Sequence, residues 1–216
     1  MSMKLSFFKE KVFSYPFYFE EHPSSDSLAH LMYEEILRST KRHTIVLLCI
    51  GTDRSTGDAF GPLVGTIIKE NSGQRMHVYG TLESPVHALN LKETLEDIKN
   101  NHPHALLIAI DASMGRAENV GRVTFASGPL HPGSAVHKRL PEAGDMHMTG
   151  TVNVSGMMEH VTLQNTRLYF VLQMAEWAAN ALLTMDRLLH THTIRPSRSV
   201  FTTETSQLLT SSTNQQ

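Results

Sequence analysis

The sequence has a single cysteine, Cys49, no excess of either charge and no long apolar run, and each absence closes off a class of protein. One thiol cannot form an intramolecular disulfide, and a 216-residue chain with 40% hydrophobic residues needs no such staple, which suits a reducing compartment. With 19 Lys and Arg against 21 Asp and Glu, the formal charge is −2 and no basic stripe could follow a phosphate backbone, so a nucleic-acid partner is not expected. No stretch approaches the roughly 18 apolar residues of a membrane helix, and the opening residues are broken by Lys9, Glu10, Lys11 and Pro16, so neither a span nor a signal-peptide core is expected. These absences predict a cytoplasmic protein without a membrane partner.

Several catalytic and cofactor motifs are also missing. The glycine-rich stretch GTDRSTGDAFG is neither a dinucleotide fingerprint nor a phosphate loop, and there is no G-x-S-x-G elbow, H-E-x-x-H or C-x-x-C. Cys49 falls within an apolar strand pattern, where a thiol acts as a small hydrophobe rather than a nucleophile.

What the chain does contain is an alternation of strand and helix patterns. Residues 1–23 mix aromatic and charged residues without a period and read as an arm packed on the domain or on a neighbour. Helical spacing of Leu28, Leu31, Met32 and Ile36 comes next, from Ser25 or Asp26 to about Thr40. Thr44 to Ile50 is a continuous apolar run, as a strand buried on both faces requires, and Gly51 opens a loop leading to a helix from about Pro62 to Asn71. A short strand at 76–81, a helix at 89–100 and a second buried strand, Ala105 to Ile110, complete two strand-helix-strand passages. Val120 to Ala126 reads as a further strand, Ser127 to Gly150 as a long loop, and Ser155 to about His190 as mainly helical. Beyond Thr191, 12 of the last 26 residues are Ser or Thr, so residues 191–216 read as a mobile tail after a single 24–190 domain. The expected class is α/β, with helices on both faces of a mostly parallel sheet.

In such a sheet, ligands bind in the crevice at the carboxyl ends of the strands. Asp53 and Asp58 fall in one strand-end loop, Asp111 ends the next buried strand, and Asp145 and His147 fall in the later loop. An acid abutting an apolar run is costly to desolvate unless bonded or functional, which makes Asp111 the most informative residue. Ordinary roles compete: Asp58 precedes a helix it could cap, and Asp111 could bond nearby amides. Single histidines such as His77, His87 and His131 are more often surface residues than ligands.

The segments GTDRSTGDAFGPLVG, IAIDA, HPGSAVHK and GDMHMTGTVNVSGMMEH together resemble the YyaC-type sporulation proteins of spore-forming bacteria, over about residues 44–180. More distantly, Thr56 to Pro62 and Ile110-Asp111-Ala112 resemble two aspartate motifs of the germination proteases, which degrade small acid-soluble spore proteins. The chain also resembles the hydrogenase-maturation endopeptidases, whose metal-binding acids match Asp58 and Asp111 and whose histidine matches His147. That likeness implies a phosphorylase/hydrolase-like three-layer α/β/α sandwich. It implies an endopeptidase of sporulation or germination, catalytic at Asp58 and Asp111, located in the forespore or spore core. It also implies zinc or nickel on Asp58, Asp111 and His147, a protein or peptide substrate such as a small acid-soluble spore protein, and a homo-oligomer. The sequence departs from both relatives: Asp58 stands where the maturation peptidases use a longer Glu, and it retains His147, which the germination-protease pattern does not clearly require. Asp53, Gly57, Gly128 and His131 are the expected substrate-binding residues, with amides near Gly57 or Gly128 as oxyanion donors. The alternative is a non-catalytic, peptidase-like protein that binds a partner and regulates sporulation.

Overall fold

In the computed structural model, residues 12–39, 44–71, 76–133, 140–156 and 158–194 are described. Six strands form one sheet: β1 (Ser14–Tyr18), β2 (Ile45–Cys49), β3 (Met76–Tyr79), β4 (Leu106–Gly115), β5 (Arg122–Ser127) and β6 (Met146–Val154), in the order β1-β5-β6-β4-β2-β3. Strands β6, β4, β2 and β3 run parallel, and β5 runs antiparallel between β6 and β1.

Five helices join them: α1 (Asp26–Ser39), α2 (Phe60–Asn71), α3 (Leu91–Asn101), α4 (Glu159–Gln164) and α5 (Leu168–Ile194). One apolar cluster joins Leu28, Met32, Val64, Ile68, Met174, Ala178 and Leu182 of α1, α2 and α5 to Leu47, Ile108, Ile110 and Met148 of the sheet. The opposite cluster sets Leu91 and Ile98 of α3 against Val46, Leu48 and Ala109. Alternate residues of β2 and β4 enter the two clusters, which is why both strands read as unbroken apolar runs. The fold is therefore an α/β/α sandwich on a mixed, largely parallel sheet. No helix of the described residues is long and apolar enough to cross a membrane.

The structure differs from the expected elements in three places that matter. The arm contributes a strand: β1 pairs with β5 from Ser14↔Ala126 to Tyr18↔Arg122, and Phe13 and Phe19 are buried in the core. Its aromatics follow the two-residue period of a half-buried strand, hidden by Pro16, which an edge strand tolerates. Second, Asp111 does not end its strand, because β4 continues to Gly115. Third, β6 begins inside the expected 127–150 loop. Met146, Met148, Gly150 and Val152 are buried while His147, Thr149 and Asn153 are only half-buried, an alternation masked by its glycine and histidine. In the tail, α5 carries on to Ile194, and residues 195–216 lie outside the described residues.

Candidate functional site

The loop after β2 folds back on itself. Gly51 N–H donates to Val86 O, and Thr52 N–H donates to Asp58 O at 3.1 Å, closing a small ring of chain above the end of β2. Gly51 has φ of 147°, and a Cβ there would collide with Asp58 O, so only glycine permits this closure. A 3₁₀ turn, Gly57–Ala59, then leads directly into α2. Asp58 lies inside that turn, and no side-chain cap bond forms at its start, so Asp58 is not the helix cap its position suggested. Phe60, fully buried, fixes the entry to α2 by lying under Gly150 of β6, 2.8 Å from where a Cβ would stand.

Asp111 arrives from the sheet. It pairs with Thr149 of β6, one step past the Cys49↔Ile110 pair that ends β2. Its side chain shares a face with Ala109 and Ser113, and Ser113 Oγ lies 3.2 Å from Thr151 Oγ1 across the ladder. Burial pushes the Asp111 carboxyl well above its ordinary range; a hydrogen bond from Ala112 N–H, at 2.8 Å, opposes this, and the charge of Asp58 raises it further. The two aspartates, 53 residues apart in sequence, thus lie near enough for the charge of Asp58 to act on Asp111.

The other expected residues fall elsewhere. His147 enters β6 opposite Ala109, two ladder steps before the Thr149↔Asp111 pair, and its Nδ1 donates to Gly128 O at 2.9 Å. Gly128 N–H is committed to Asp145 O, so it is not a free oxyanion donor as expected. Because β5 runs antiparallel, Gly128 and Asp145 sit beside the starts of β4 and β6, where Asp145 Oδ2 accepts from Leu107 N–H. Asp53 is exposed at the loop tip, and exposed His131 faces Glu142 at 3.4 Å. Gly57 is buried against Leu163 of α4 and stays at the site, its amide opening a turn where N–H groups lack intrahelical acceptors.

Among the described residues, no three His, Cys, Asp or Glu side chains converge closely enough to hold a metal ion. Asp58, Asp111 and His147 do not come together as such a group. Ser55 is an addition that the sequence did not suggest. It is only 5% exposed and its Oγ has no hydrogen-bond partner, a cost that is uncommon in a folded chain. Nothing in its local sequence, one Ser in a polar loop, signals this. Ser113, Thr149 and Thr151 escaped notice because their strands run beyond the apolar segments or through stretches that resemble loop.

Fold and site together define an α/β/α protein that brings Asp58 and Asp111 to the same end of its sheet. The chain belongs to the family described as Protein of unknown function (DUF1256), whose model matches residues 17–181. It is 49% identical over 167 residues to "Uncharacterized protein YyaC" of Bacillus subtilis (strain 168), covering 76% of this chain and 82% of that one. Among solved structures it is similar to the NiFe hydrogenase maturation protease HycI from Thermococcus kodakarensis KOD1, with a TM-score of 0.49 and 18% identity over 68% of this chain and 95% of the other.

Proposed function

We propose that this chain is an endopeptidase in which Asp58 and Asp111 act as a general acid–base pair on a water molecule. The observation that carries the reading is the placement of Asp111, half-buried in β4 one step past the end of β2 and near enough to Asp58 for that charge to act on it. A protonated acid beside an ionised one is what peptide hydrolysis asks of two carboxylates. Asp58 takes a proton from water as the water oxygen attacks the peptide carbonyl carbon. Asp111 first donates a hydrogen bond to the carbonyl oxygen, then gives its proton to the leaving nitrogen as the C–N bond breaks. The Gly57 amide steadies the developing oxyanion.

The resemblance to sporulation and germination proteins supports a substrate among the small acid-soluble spore proteins and a place of action in the forespore or spore core. The test is incubation of the purified full chain with spore-protein extract, with and without chelator, and identification of the fragments released. The reading expects discrete cleavage that is insensitive to chelator and lost in Asp58→Asn and Asp111→Asn. Intact extract, or cleavage retained by Asp111→Asn, contradicts it; cleavage abolished by chelator returns the metal to the site.

A further inference from the structure

Strand β4 is longer than the strand beside it. On the β2 side it is paired from Leu106 to Ile110, whereas on the β6 side pairing runs on to Gly115. In a parallel ladder, a residue turns both its N–H and C=O to one neighbour and the next residue turns both to the other. Ile50 N–H donates to Ile110 O, and Ser155 N–H donates to Gly115 O. Even positions of β4 therefore face β2 and odd positions face β6. The irregularity between Ser113 and Met114 skips Val152 and so belongs to β6, leaving this phase intact.

Ala112 and Met114 consequently present their backbone groups where β2 has already ended. The Ala112 N–H is taken by the carboxylate of Asp111 itself, a side chain standing in for a missing strand. Residues 112–115 are half-buried rather than covered. The sheet's other open edges, the outer sides of β1 and β3, lie at its flanks, while this one adjoins Asp111.

We infer that the open edge from Ala112 to Met114 binds an extended segment of another polypeptide, which adds as a short strand beside β4 with its backbone against Asp111. Donor and acceptor groups repeating at strand spacing match an extended peptide, since sugars and nucleotides carry no such repeat. An incoming carbonyl competes with Asp111 for the Ala112 N–H, so pairing releases a carboxylate oxygen toward the bound chain. Cleavage of the bound segment rests on the peptidase reading; its binding does not.

The test uses the full chain carrying Asp111→Asn, whose amide oxygen can still accept from Ala112, and selects binders from a displayed library of random short peptides. Enriched peptides are then synthesised with single N-methyl groups at each position. Strand pairing predicts that methylation at alternate residues weakens binding by about tenfold or more, as loss of a hydrogen bond implies, and that intervening positions tolerate it. Met114→Pro removes an outward N–H without touching the β6 ladder and should weaken binding similarly, whereas Met114→Leu should bind like the parent. The Met114 amide should exchange quickly in the free chain and slowly with peptide bound. A library with no binders, a flat methylation profile, or a Met114 amide already protected in the free chain overturns the inference. Alternating binding by the parent chain without cleavage upholds pairing and sinks the peptidase reading; cleavage with a flat profile does the reverse.

Discussion

At the scale of single residues, Asp111 is the one on which the peptidase proposal turns. Its folded pKa is raised, so ionising it costs stability: relative to a neutral side chain, stability is retained below the ordinary aspartate range and lost as pH rises through the raised value. Asp111→Asn should therefore raise Tm at neutral pH by about 2–4 °C, an advantage that disappears in acid, as scanning calorimetry across pH would show. The same change should cut cleavage by about 10²- to 10⁴-fold, and cleavage by the parent should fall on the alkaline side as Asp111 gives up its proton. Cys49 is the opposite case. Burial alone pushes its thiol far up, so it should resist a thiol-reactive disulfide reagent in the native chain and react fully in denaturant. Both residues were legible in the sequence, since an acid after an apolar run and a thiol within one carry their environments with them. Ser55 was not legible, because its burial depends on where the loop folds.

At the scale of elements, the runs buried on both faces were the readable part. β2 and the first half of β4 appear where continuous apolar sequence places them, because a strand covered on both sides has no polar alternative. Mixed strands were harder. β1 mixes Tyr and Phe with Pro16, and β6 alternates half-buried His147 and Thr149 with buried Met146, Met148 and Gly150, so propensity favoured a loop where pairing with β4 and β5 won. Tyr15 ties β1 to α1 by donating to Glu35 Oε1 at 2.6 Å, and Glu35 is buried and also bound by Arg38. Tyr15→Phe should cost about 1–3 kcal/mol in denaturant unfolding, as loss of a hydrogen bond to a charged group implies. Gly150→Ala should cost a similar amount, about 1–3 kcal/mol, because the new methyl drives into the Phe60 ring. Since Phe60 directly succeeds the 3₁₀ turn bearing Asp58, Gly150→Ala should also impair cleavage, whereas Tyr15→Phe should leave it unchanged.

At the scale of the whole molecule, topology places the functional groups. Parallel β2 and β4 bring the loop of Asp58 and the strand of Asp111 to the same end of the sheet, and the sequence order of strand and helix already implied this. Antiparallel β5 carries Gly128 and Asp145 to the starts of β4 and β6, and no local pattern announced the reversal. That reversal explains why only part of the expected constellation assembles. Catalysis by this pair requires that Asp58 and Asp111 feel each other's charge across one crevice. Carbon-13 NMR titration of the aspartate carboxyls tests this coupling most directly, in the parent and in Asp58→Asn. Asp111 should titrate well above the ordinary aspartate range, and Asp58→Asn should lower its midpoint. An Asp111 midpoint in the ordinary range, or one that Asp58→Asn leaves in place, would show that the two carboxyls do not act as a pair.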